Sequence, residues 1–127
     1  MSLYSLQHVN IRTHKLAETV SFFEHVLGLQ NGERPNFGFP GAWMYLPNSE
    51  EAVVHLIGEE KEQPHGSGSV DHVAFGAKGW NEHIARFEKL GYTFEKRDVP
   101  GRAFRQLFIR DPNGVLVELN FDTNEKA

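Results

Sequence analysis

The chain has 127 residues with 10 Phe, 2 Trp and 3 Tyr, no cysteine and a formal net charge of −4, enough for one compact domain or two small modules sharing a core. Without cysteine there are neither disulfides nor thiolate ligands, so any metal is held by nitrogen and oxygen. There is no basic stripe, no N-terminal basic segment leading into an apolar run, and no apolar stretch long enough for a bilayer. These features argue against nucleic acid, a signal peptide and a membrane span, and lead us to expect a cytoplasmic protein.

In chain order, residues 5–12 alternate apolar and polar, the period of a strand. Leu16, Val20, Phe23 and Leu27 recur at helical spacing, and Gly28 suits a helix stop. The stretch 31–41 carries no motif and reads as a loop, whereas 42–46 and 52–58 read as strands. Residues 59–68, charged and then rich in Gly and Ser, read as a linker. A second series follows: a strand over 69–76, a helix near 80–90 ended by Gly91, and strands near 92–98, 103–110 and 115–121. Asp111-Pro112-Asn113-Gly114 is a strong turn signal between the last two.

The two series are alike. His8-Val9-Asn10-Ile11 matches His72-Val73-Ala74-Phe75 at an offset of 64. Phe22–Leu29 matches Ala85–Tyr92, and Ala52–Leu56 matches Val115–Leu119, both at 63. Three matches at nearly one offset indicate a duplicated unit. Each copy reads as strand, helix and three strands, giving a module over 5–58 and a module over 69–121.

Alternation assigns faces. Val9 and Ile11, Val54 and Leu56, Val73 and Phe75, and Val115, Val117 and Leu119 suit the helix-covered side. The opposite side then collects His8, Asn10 and Arg12 from the first strand, His55 from the fourth, His72 from the fifth, and Glu118 and Asn120 from the last. Neutral imidazoles with a carboxylate suit a divalent ion (Zn, Fe, Mn, Ni or Co) that keeps positions open for a substrate. We expect His8, His72 and Glu118 as ligands, with His55 as a fourth ligand, a neighbour that orients a ligand, or a general base. Taken singly, each histidine reads equally as a hydrogen-bonded interior residue; the duplication makes the case. Trp43 and Tyr45 share one strand face and line either the pocket or the core. His14, His25, His65 and His83 read as surface residues.

These residues together resemble the vicinal oxygen chelate superfamily, which includes glyoxalases, extradiol dioxygenases, fosfomycin-resistance enzymes, methylmalonyl-CoA epimerase and bleomycin-binding proteins. The matching pieces are His8–Arg12, Phe22–Leu29, Asp71–Phe75 and Asp111–Leu119, within about residues 5–121. The resemblance implies an α+β fold. Two βαβββ modules with curved strands enclosing a metal site would form a single domain over 1–127, within a homodimer. It also implies a small-molecule substrate bound through oxygens to the metal. Catalytic roles fall to His55 and Glu118. Substrate contacts fall to Arg12, which resembles the glyoxalase arginine that holds a carboxylate, and to Asn10, Phe108 and Asn120. Arg12 also reads as a rim residue paired with a nearby acid.

Two departures shape the functional expectation. Glyoxalase I enzymes place Glu or Gln where this chain has His55. Extradiol dioxygenases place Tyr where it has Phe108. The leading expectation is a metal-dependent glyoxalase-like isomerase or lyase. The alternatives are an Fe(II) extradiol-type dioxygenase and a non-catalytic small-molecule-binding protein.

Overall fold

Val9, Ile11 and Thr13 alternate with exposed Asn10 and Arg12, and this half-buried pattern makes β1 (Val9–Thr13). The strand begins later than the alternation suggests. Residues 5–8 of the expected strand are exposed, and the ladder with β4 pairs only Val9–Thr13. Thr13 Oγ1 accepts from the Lys15 N–H at 2.9 Å, which closes the turn into α1 (Leu16–Ser21). The helix continues as a π-helical turn, Phe22–Val26, rather than running as α-helix to Leu27. That turn buries Phe22, Phe23 and Val26 together.

After it come β2 (Gln30–Gly32), β3 (Gly41–Tyr45) and β4 (Ala52–Gly58), in the sheet order β1-β4-β3-β2. β2 lies inside a stretch expected to be loop; it is short and polar, and the β3 ladder creates it. The second half repeats the plan with β5 (His72–Gly76), α2 (Trp80–Leu90), β6 (Phe94–Asp98), β7 (Phe104–Arg110) and β8 (Leu116–Asp122), ordered β5-β8-β7-β6. Gly91 stops α2 with φ 78°, and its N–H returns to the Glu88 carbonyl, the left-handed ending that glycine tolerates best.

The computed structural model describes residues 1–124 and divides into two units, Met1–Gln63 and Pro64–Ala127. The division falls inside the 59–68 linker. Each unit is a βαβββ module with a mixed four-stranded sheet, so the fold is α+β. The duplication extends to register. Asn10 pairs with His55 across the parallel β1–β4 ladder, and Ala74 pairs with Glu118 across β5–β8.

Each unit has its own core. In the first, Phe22, Phe23 and Val26 join Met44, Val54 and Leu56; in the second, Phe87 joins Leu107, Ile109, Val117, Leu119 and Phe121. His83, expected at the surface, is half-buried: Nδ1 donates to the Gly79 carbonyl at 2.9 Å and the ring meets Phe87 and Phe121 edge-on. Among the described residues no helix is long and apolar enough to cross a membrane.

Candidate functional site

With Val54 and Leu56 fully buried, strand alternation turns His55 to the other face of the first sheet,. There it sits in a stack of rings. The His8 ring lies parallel to it at 3.8 Å, tilted by 7°, and Trp43, its partner across the β3–β4 ladder, covers it at 4.2 Å. Burial, the neighbouring His8 and the more distant Arg34 lower the His55 pKa from its ordinary 6.5, and a backbone hydrogen bond with Ala52 opposes them. His55 is therefore a neutral imidazole with a lone pair at neutral pH. A positive charge on the facing His8 ring repels a proton arriving on His55, which lowers the His55 pKa further,.

The second unit repeats the device with different groups. Val117 and Leu119 are buried on one side of β8, and Glu118 looks out on the other. His72 Nε2 lies 3.3 Å from Glu118 Oε1. His72 Nδ1 donates to Asp71 Oδ1 at 2.8 Å, which fixes the tautomer and leaves Nε2 facing Glu118. The other Glu118 oxygen, Oε2, accepts from Asn120 Nδ2 at 2.8 Å, and Asn120 Oδ1 accepts from Gln106 Nε2 at 3.0 Å. Glu118 is nearly buried, at 8% exposure, yet both of its oxygens have polar neighbours.

The four predicted ligands thus come together as two pairs, His8 with His55 and His72 with Glu118, at equivalent places in the duplicated unit. Among the described residues no group of three or more His, Asp or Glu gathers at metal-binding distance. The second pair has suitable spacing. Two donor atoms, each about 2.1 Å from one divalent ion, stand about 3.0–3.4 Å apart, and 3.3 Å falls in that interval. The donors are neutral nitrogen and carboxylate oxygen, which borderline divalent ions prefer.

The residues expected at the substrate are spread more widely. Phe108 stands edge-on to His72, ring centroids 6.5 Å apart, in a cavity of about 760 Å³ that His72 and Glu118 also line. Asn120 holds Glu118 rather than opening on that cavity. Asn10 lines a smaller hollow of about 130 Å³ with His55, Trp43, Phe37 and Phe39. Arg12 is exposed and pairs with Glu59 at 3.6 Å, the rim arrangement. Trp43 faces the pocket, while Tyr45 donates its hydroxyl to the Glu33 carbonyl.

Gln106 lines the larger cavity with Phe108, as their alternation on one strand face suggests. Sequence reasoning missed Asp71 and Arg97. Asp71 was signalled by its place directly before a candidate ligand. Arg97 depends on cross-strand register, which the sequence does not display.

The family model of the Glyoxalase/Bleomycin resistance protein/Dioxygenase superfamily matches residues 5–119. The chain is 26% identical over 127 residues to Glyoxylase I 4 of Arabidopsis thaliana, covering 94% of this chain and 71% of that protein. It is 31% identical over 118 residues to the putative ring-cleaving dioxygenase MhqA of Bacillus subtilis (strain 168), covering 82% of this chain and only 35% of that protein. Its fold is similar to the glyoxylase/bleomycin resistance protein/dioxygenase domain from Frankia sp. EAN1pec, with TM-score 0.77, 17% identity, and 98% of this chain and 96% of that one covered. Duplicated modules, a repeated register and a match over most of its length place the chain in the glyoxalase/bleomycin resistance protein/dioxygenase superfamily.

Proposed function

We propose that the chain is a metal-dependent enzyme of glyoxalase-like isomerase or lyase type. In this reading His8, His72 and Glu118 hold a divalent ion, His55 stands beside them as the general base, and a small oxygen-bearing substrate binds there. The observation that carries it is the pairing of these residues at duplication-equivalent positions, His8 with His55 and His72 with Glu118. A bound divalent ion supplies Lewis acidity toward substrate oxygens.

The chain's own residues supply the rest. Asp71 orients His72 so that Nε2 faces Glu118, the nitrogen that would meet the ion, and Asn120 holds Glu118. His55, held neutral, is the group able to accept a proton from a carbon next to a carbonyl. Phe108 supplies an apolar wall beside His72. The test is exchange of the proton alpha to the carbonyl of small hydroxyketones into deuterium oxide. Exchange that stops on chelation, returns with added divalent ion and falls at least a hundredfold in His55→Ala is the expected result. Exchange indifferent to chelation would contradict it.

The donor set of His8, His72 and Glu118 also suits a second reading. Two histidines and a carboxylate are the ligands of Fe(II) oxygen chemistry. Oxygen uptake with catechols after anaerobic Fe(II) loading would favour ring cleavage over isomerisation. A purely binding role would appear as tight ligand uptake that survives chelation.

A further inference from the structure

The cavity of the second unit contains a cation that the proposed metal chemistry does not use. Cross-strand register places Glu95, Phe108 and Glu118 on one rung of the sheet and Arg97, Gln106 and Asn120 on the next. Residues two apart on a strand share a face, and Glu95, Arg97, Gln106, Phe108 and Glu118 all line the same cavity. The Arg97 guanidinium lies over the Phe108 ring, 4.8 Å from its centroid. That contact holds the cation against the ring face, and the guanidinium N–H groups make no hydrogen bond or ion pair to another described residue,.

The other charged groups of the wall are mostly engaged. Arg110 donates to the Gly114 carbonyl at 3.0 Å. Asp71 holds His72, and Glu118 accepts from Asn120. Among the described residues no carboxylate forms an ion pair with Arg97. Glu95, two residues away, shares its strand face, while Asp98, next in sequence, alternates to the other face and does not line the cavity,. The lining carries three carboxylates and two guanidiniums, so one divalent ion at His72 and Glu118 would turn its formal charge positive and favour an anion.

We propose that Arg97 is the specificity-determining residue of this cavity and that the substrate class is a small carboxylic acid with a flat group and a metal-binding oxygen pair at its far end. Its carboxylate sits on the Arg97 fork, its flat group lies against Phe108, and its oxygen-bearing end reaches His72 and Glu118. The Phe108 ring neighbours both ends: its centroid is 4.8 Å from the Arg97 guanidinium carbon and 6.5 Å from the centre of the His72 ring. A guanidinium fork matches a carboxylate with two parallel hydrogen bonds. Only the oxygen end of this assignment rests on the metal reading; the carboxylate end rests on Arg97 and Phe108 alone.

The test uses three probes: benzoate, catechol and 3,4-dihydroxybenzoate. With metal-free protein, benzoate shifts the amide resonances around Arg97 and Phe108, and Arg97→Gln weakens that binding about tenfold or more. With Zn(II)-loaded protein, 3,4-dihydroxybenzoate binds about tenfold tighter than catechol. Arg97→Gln erases that gap without changing catechol affinity, and Arg97→Lys restores part of it. Benzoate binding indifferent to Arg97→Gln, or an acid preference that survives it, overturns the proposal. Failure of the metal reading has a different mark: Zn(II) would add nothing to catechol affinity while the benzoate result still decided the role of Arg97.

Discussion

At the scale of single residues, the two halves of the candidate site use opposite means to reach one end. His55 is kept neutral by burial and by a second imidazole, whereas His72 has its tautomer fixed by a carboxylate. Asp71→Asn keeps the shape but replaces a charged acceptor with a neutral one. The expected result is a 10- to 100-fold weaker Zn(II) affinity, measured by calorimetry, with unchanged circular dichroism. For His55 in metal-free protein, the proton resonances of its ring should titrate below 6.5. In His8→Ala the midpoint should move back up, because both the cover and the repulsion of the neighbouring ring are gone. The sign for stability follows. Just below 6.5 the unfolded chain takes up the proton more readily than the folded one, so this residue makes stability fall as pH drops from 6.5 toward the lower folded value. Above 6.5 it imposes no such penalty.

At the scale of elements, periodicity carried the argument wherever an element buries one face. β4 and α2 have the limits their patterns predict, because Val54 and Leu56 alternate strictly and α2 has clear glycine boundaries. Elsewhere tertiary structure decided. Residues 5–8 read as strand but lie outside the β1–β4 ladder, and Gln30–Gly32 shows no apolar pattern but pairs with β3. The π-helical turn was invisible for a similar reason: helical spacing predicts a regular helix, whereas the chain widens into a π-turn over Phe22–Val26 that buries Phe22, Phe23 and Val26.

The same logic gives two stability tests. Phe87 is fully buried on α2, so Phe87→Ala should cost about 3–5 kcal/mol in denaturant unfolding. The turn Asp111-Pro112-Asn113-Gly114 is closed by Asp111 Oδ1, which accepts from the N–H groups of Asn113 and Val115 at 2.9 and 2.8 Å. Gly114 has φ 81°, and a methyl group there would meet the His65 ring. Gly114→Ala should therefore cost about 1–3 kcal/mol from backbone strain and displace the linker, whose Gly66 N–H donates to the Asn113 carbonyl at 2.7 Å. Unfolding of Gly114→Ala with wild-type stability would show that the turn tolerates a side chain.

At the scale of the molecule, duplication made the candidate site legible. Three matches at nearly one offset predicted that His8 corresponds to His72 and His55 to Glu118, and the repeated β1–β4 and β5–β8 registers have that correspondence. What the offset does not encode is the support around each pair: the stacked Trp43, the Asn120–Gln106 chain and the Arg97–Phe108 contact arise from rungs between strands far apart in sequence. The central claim is that the two pairs serve one ion. Equilibrium dialysis with Zn(II) of the wild type, a His8→Ala/His55→Ala variant and a His72→Ala/Glu118→Ala variant tests it most directly. The account predicts tight binding by the wild type and loss of tight binding in both double variants. Wild-type affinity in either double variant would contradict it.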